Sequence, residues 1–180
     1  MKNKKLTIEL IKKMNFEDFY DLTYNIDFSK ISKEILNYIV ETKNIETLII
    51  LAKNPSTPAE ILEKLLEQKN ESIQFLVAEH PNVSDKAAKE LSNHQRDYIR
   101  STLAKNKSLS NELFTILSKD SKDYCFFVKL ELIRNPNVPL DVLIPLLINL
   151  SNSEEEFVRE EVAMHPLTPI DTLEQLFKDK

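Results

Sequence analysis

Glycine and tryptophan are absent from this 180-residue sequence, and it holds one cysteine, Cys125, and three histidines. Without glycine there is no residue that enters left-handed backbone at little cost, so tight two-residue hairpins and phosphate-cradling loops lose their usual material. Rossmann and P-loop readings fail on that ground, and an all-α chain is the expectation. A single cysteine makes no internal disulfide, and the histidines show no zinc or cluster spacing, so no cofactor is expected. Cys125 sits in the apolar "DYCFFVK" with no base at hand and reads as a packed thiol. Long apolar runs are missing as well. The longest, "VLIPLLINL", has nine residues, where a bilayer span needs ~20. The basic start "MKNKKLTIELIKK" has neither the apolar core nor the cleavage site of a secretion signal, which makes a reducing cytoplasm the expected compartment.

What is present is an ordinary apolar fraction of 42%, with 29% charged residues and a formal net charge of −5. That balance fits a folded protein and provides no global attraction to nucleic acid or anionic membrane.

The organising feature is internal repetition. "LAKNPSTPAEILEKLL" from Leu51, "VAEHPNVSDKAAKELS" from Val77, "LAKNKSLSNELFTILS" from Leu103, "LIRNPNVPLDVLIPLL" from Leu132 and "VAMHPLTPIDTLEQLF" from Val162 align without gaps, at spacings of 26, 26, 29 and 30 residues. A weaker copy begins at Asn25. Each copy reads as helix, tight turn, helix. The first helix stops near Asn54, His80, Asn106, Asn135 or His165, and proline follows directly in most copies, which pushes the preceding residue out of the helical region. "TPAE" and "TPID" read as capping boxes, with Thr57 and Thr168 as N-caps. Ile61/Leu62/Leu65, Leu113/Phe114/Leu117 and Val142/Leu143/Leu146 supply the inward columns of second helices; Ile73/Val77, Ile99/Leu103 and Val158/Val162 do so for first helices. One such hairpin cannot bury its apolar side alone, whereas stacked copies can. The expected architecture is a single domain over 1–180, a right-handed α-solenoid of about six helical-hairpin repeats of 26–30 residues. Residues 1–28 would form an N-terminal helical cap, and 29–180 the repeats.

"VREEVAMHPLTPIDTLEQL", echoed in "IRSTLAKNKSLSNELFTIL" and "LAKNPSTPAEILEKL", resembles the leucine-rich repeat variant family, a HEAT-like group of bacterial solenoids. The resemblance spans roughly residues 45–177. It implies an interaction scaffold and names no ligand. Family members can carry an iron–sulfur cluster on an added cysteine-rich segment; this chain lacks those cysteines.

Candidate sites emerge from comparing copies. His80 and His165 share their position with Asn54, Asn106 and Asn135, so helix-terminal hydrogen bonding explains them better than metal binding. Arg100, Lys129 and Arg159 form a basic column beside an aromatic one, Tyr98, Phe127 and Phe157. Basic residues interleaved with aromatics on one face could grip an acidic peptide or a phosphate backbone. Against this, Asp97 and Glu156 stand three residues before the arginines, at pairing distance on a helix, and the aromatics could pack between repeats. In "SEEEF", Ser153 is the expected N-cap of glutamates that favour a helix start. Ile144 and Ile148 occupy positions that are mostly polar in the other copies, one turn apart around Pro145. They form a candidate interface for a partner or a second copy, unless the residues inserted on either side fold over them.

The functional expectation is a non-enzymatic, cytoplasmic scaffold that binds a protein or peptide. One alternative is a nucleic-acid-binding HEAT-like solenoid of the DNA-repair-glycosylase kind, which the acidic balance and the lack of tryptophan disfavour. Another is an inhibitor or immunity-type protein for one cognate enzyme.

Overall fold

The computed structural model describes residues 6–23, 26–42, 44–121 and 125–178, apart from the side chains of Leu22 and Cys125. The packed-thiol reading of Cys125 therefore lies outside the described residues. All regular structure among the described residues is helical: thirteen α-helices and one 3₁₀ turn. None of these helices is long and apolar enough to cross a membrane. The chain divides into two compact units, Met1–Ala87 and Ala88–Lys180.

The first unit contains α1 (Ile8–Lys13), α2 (Phe16–Thr23), the 3₁₀ turn (Phe28–Lys30), α3 (Lys33–Glu41), α4 (Ile45–Lys53), α5 (Ala59–Leu66) and α6 (Glu71–Glu79). Side chains supply the helix starts that glycine-free loops still need. Thr7 accepts from the Leu10 amide, Asn44 from the Glu46 and Thr47 amides, and Asn70 from the Ile73 amide, each satisfying donors that the helix itself leaves unpaired. From α3 to α6 each helix packs on the next and on the one after it, while α1 packs on α3 and α2 on α4. Ile61, Leu62 and Leu65 are fully buried, as are Ile73 and Val77, which is the inward spacing read from the sequence. Leu6, Ile11, Phe19 and Phe28 complete the core at the N-terminal end.

Helix α7 (Asp85–Ser92) contains the division between the units. The second unit continues with α8 (Asp97–Lys105), α9 (Asn111–Ser118), α10 (Cys125–Arg134), α11 (Leu140–Leu150), α12 (Glu156–Met164) and α13 (Ile170–Lys178). Helix α10 packs on α8, α9, α11 and α12, and α12 also meets α11 and α13. Val128, Leu132, Val158 and Val162 are completely buried, because i, i+4 residues share one face of each helix. Helix α11 runs through Pro145 to Leu150, although that proline cannot donate to the carbonyl one turn earlier.

Three capping expectations are corrected. Helix α5 starts at Ala59 with Pro58 at its N-cap, so Thr57 is one residue too early to cap it. Thr57 is buried instead, and its hydroxyl donates to the Leu51 carbonyl at 2.6 Å. Thr168 donates in the same way to Val162. Both hydroxyls thus satisfy a carbonyl left over at the end of the preceding helix. The equivalent positions in other copies, Val83, Leu109 and Val138, are also buried, so this column is a core column that tolerates threonine. Ser153 is likewise displaced: Glu155 is the N-cap of α12, and Ser153 accepts from its amide.

Candidate functional site

The second unit holds the aromatic and basic columns and the α11 isoleucines singled out from sequence, and it separates them sharply. Tyr98, Phe127 and Phe157 lie near the starts of α8, α10 and α12, and remain 41–45% exposed. Phe126 stands between two of them, its ring 4.3 Å from Phe127 and 5.6 Å from Phe157, the latter edge-on. Offset and edge-on arrangements of this kind are favourable ring geometries, so the aromatic column is an ordered surface, partly packed and partly open.

The basic column is not beside it in solvent. Arg100 is completely buried, and its Nε donates to the Asp120 carboxylate at 2.6 Å. Its Nη1 donates to the carbonyls of His94 and Gln95 at 2.7 and 2.8 Å. A guanidinium with these partners is a structural clamp that ties the loop before α8 to the loop after α9. Arg100 is therefore corrected from a ligand contact to an internal fastener, and the ion pair that sequence assigned to Asp97 is made with Asp120. Arg159 performs the same backbone task, with Nη1 donating to the Ser153 and Glu154 carbonyls at 2.7 and 3.0 Å, but it is only half-buried. Its sequence partner was Glu156; its observed partners are main-chain oxygens. Lys129 is half-buried, and no ion pair involving it is found among the described residues. The column therefore loses Arg100 as a contact for nucleic acid, while Lys129 and Arg159 keep their charge at half-buried positions.

The shared asparagine and histidine position has a consistent chemistry. In each copy the side-chain acceptor takes the amide two residues on: Asn54 from Ser56, His80 from Asn82, Asn106 from Ser108, Asn135 from Asn137 and His165 from Leu167. The donor end reaches a carbonyl of an earlier copy. Asn54 bonds Ile26, His80 bonds Asn54, Asn135 bonds Ala104 and Asn106, and His165 bonds Ile133. Histidine fits because Nδ1 and Nε2 replace the oxygen and nitrogen of the asparagine amide. An Nδ1 that accepts an amide proton fixes the neutral tautomer with its hydrogen on Nε2. Burial lowers the His80 pKa, with the Nε2 bond to Asn54 opposing. Among the described residues, no group of three or more His, Cys, Asp or Glu side chains could hold a metal ion.

The α11 patch is smaller than the sequence suggested. Ile148 is 43% exposed, while Ile144 is half-buried on the same side. Val142, Leu143 and Leu146 are buried as expected, together with Leu147 and Leu150.

One concavity was missed. In the first unit a cavity of about 560 Å³ opens between α2 and α4, lined by Phe16, Tyr20, Thr23, Glu46, Ile49, Ile50, Lys53, Asn54 and Pro55. The rings of Phe16 and Tyr20 lie 6.2 Å apart. Its signal was present in two faint forms: the (i, i+4) aromatic pair in α2, and the near-uniform apolarity of "IETLIILAK", which leaves Ile45 and Ile49 on outer faces. Apolar walls between one acid and one base suit a small amphiphilic surface, but nothing in the arrangement is a catalytic dyad.

Comparison with protein-family models, curated proteins and solved structures finds no match to this chain, so the family resemblance rests on its sequence motifs alone.

Proposed function

We propose that the chain is a non-enzymatic helical-repeat scaffold, an α-solenoid of about six hairpins, which binds a protein or peptide through the row Tyr98, Phe127 and Phe157. The observation that carries this reading is the opposite fate of two neighbouring columns: the aromatics stay 41–45% exposed, while Arg100 is withdrawn and Arg159 is engaged by backbone. A surface of exposed rings whose neighbouring cations are buried or half-buried suits apolar anchors of a protein partner better than phosphates. Bonds from the His80 and His165 side chains to backbone carbonyls of the preceding copy, 26 and 32 residues earlier, support a stacked arrangement, in which each copy rests on an earlier one.

The test substitutes alanine at Tyr98, Phe127 and Phe157 together and compares affinity capture from native lysate with that of the unaltered chain. The proteins retained by the unaltered chain should be lost from the variant while its melting transition is kept. An unchanged set of captured proteins would remove the aromatic row as the binding surface. Titration with DNA and RNA at low salt gives the competing result, since binding that falls steeply as salt is added would favour the nucleic-acid reading.

A further inference from the structure

A second surface lies at the turn between α12 and α13. Met164, Leu167 and Ile170 are 47–74% exposed, and Leu140, at the Ile170 position of the preceding copy, is 61% exposed. Their equivalents are polar almost throughout. Met164 replaces Lys53, Glu79, Lys105 and Arg134; Leu167 replaces Ser56, Asn82, Ser108 and Asn137; Ile170 replaces Ala59, Asp85 and Asn111.

Those equivalents are exposed too, with Ser56 and Ala59 half-buried. Exposure is therefore a property of this position in the motif, shared by copies that have a further copy packed after them. At sites that face water in each copy, the last one has exchanged charge and amide for large apolar side chains. The turn that presents them is fixed by the His165 bonds to the Leu167 amide at 3.2 Å and the Ile133 carbonyl at 3.0 Å.

Charge around the patch selects the occupant. Residues 134–178 contain eight acidic side chains and three basic ones, Arg134, Arg159 and Lys178; Arg134 is paired with Glu161, and the Arg159 Nη1 is held by main-chain oxygens. Exposed carboxylates adjoin the apolar residues: Asp141 follows Leu140, Asp171 follows Ile170, and Glu160 and Glu174 stand one helical turn from Met164 and Ile170. Methionine and branched aliphatics adapt to varied apolar partners. An apolar centre with an acidic rim complements a helix that has large apolar residues on one face and lysine or arginine beside them.

We propose that this turn surface docks a basic amphipathic helix of a protein partner. The proposal rests on the reading of the chain as a binding module, but not on the aromatic row.

Two synthetic helical peptides of about 15 residues test it, one of leucine and lysine and one of leucine and glutamate in the same amphipathic pattern, followed by fluorescence anisotropy. A leucine–lysine peptide of scrambled, non-amphipathic order controls for charge alone. The amphipathic basic peptide should bind, and the acidic and scrambled ones should not. The variant Met164→Lys, Leu167→Asn, Ile170→Asp installs residues used by sister copies and should weaken binding by about tenfold or more. Ile170→Asp alone should weaken it in the same direction and guards against misfolding of the triple variant. Alanine at Tyr98, Phe127 and Phe157 should leave peptide binding unchanged, so failure here and failure of the aromatic surface are separate results. Equal binding of the acidic or scrambled peptide, or binding untouched by both turn variants, would overturn the proposal. So would self-association of the unaltered chain that the turn variants abolish, because the occupant would then be a second copy.

Discussion

The α8–α9 copy and the α12–α13 copy carry the same motif and arrange it in opposite ways. In the first, a charged side chain is sealed inside: Arg100 is wholly buried against Asp120, and the turn after its helix is polar, with Lys105, Ser108 and Asn111 exposed. In the second, the equivalent Arg159 is half-buried with main-chain partners, and the turn is apolar, with Met164, Leu167 and Ile170 exposed. Both arginines make the same two bonds to the carbonyls five and six residues earlier. Around Arg100 a carboxylate is added: Asp120, just beyond α9, reaches it and closes over it, while Asp179, at the matching place in the other copy, lies outside the described residues. Residue type therefore sets the local task, and the neighbouring loop decides whether that task is performed in water or away from it.

The largest effect should come from removing that loop's contribution. Asp120→Ala leaves a buried guanidinium without its counter-charge, and urea unfolding should show a loss of about 3–5 kcal/mol. A loss under 1 kcal/mol would mean that water enters and the two arginines are equivalent after all. Arg159→Ala removes two bonds at a half-buried site and some stem packing, and should cost about 1–2 kcal/mol in the same assay. If both variants cost the same, burial does not distinguish the two copies. At the turn, Met164→Lys, Leu167→Asn and Ile170→Asp together should change stability by no more than about 0.5 kcal/mol, since exposed positions contribute little to packing. A larger loss would show that these side chains are part of the fold.

In the first unit the position of Asn106 and His165 is occupied by His80, and there stability depends on pH. His80 is held neutral by burial, with its pKa lowered, so the unfolded chain binds more protons below about pH 6.5. Stability is then full above that pH and declines as pH falls towards the lowered folded value. His80→Asn, which keeps one acceptor and one donor as at Asn54, should flatten this dependence in thermal melts recorded between pH 7 and pH 5. An unchanged slope would assign it to other groups.

Much of the helical order was legible because core columns are local: i, i+4 pairs such as Ile73/Val77 and Val158/Val162 are buried by the face they share, whatever packs on them. The asparagine and histidine position was legible too, since residues that interchange across copies must share a hydrogen-bond pattern. The site was legible only in part. Tyr98, Phe127 and Phe157 could be seen as a column, but the withdrawal of Arg100 depends on Asp120, twenty residues away, a pairing that no helical period encodes. Thr57 and Thr168 misled because a hydroxyl before proline looks like a cap, and only burial shows that it turns back to the previous helix. The exposed turn of Met164, Leu167 and Ile170 was present in the alignment of copies, but it joins the end of α12 to the start of α13, and no single helical period connects its three residues.

The one gain in stability expected lies again in the α8–α9 copy, at Ser110. Pro58, Pro139 and Pro169 occupy three of its four equivalent positions, with Ser84 at the fourth, and Ser110 already has φ −72° and ψ 158°, angles that proline adopts without strain. Its hydroxyl is buried and has no hydrogen-bond partner among the described residues, so the side chain bears a desolvation cost with no compensating bond. Ser110→Pro removes that hydroxyl and reduces the freedom of the unfolded chain. The residue before it, Leu109, must then avoid helical angles; it already lies outside the helices, as do Thr57, Val138 and Thr168 before their prolines. The expected gain is about 0.5–1 kcal/mol, read as a higher urea midpoint at unchanged slope. A loss instead would mean that this copy holds its turn differently from the three that carry proline, and that its divergence from the α12–α13 copy begins before Asp120.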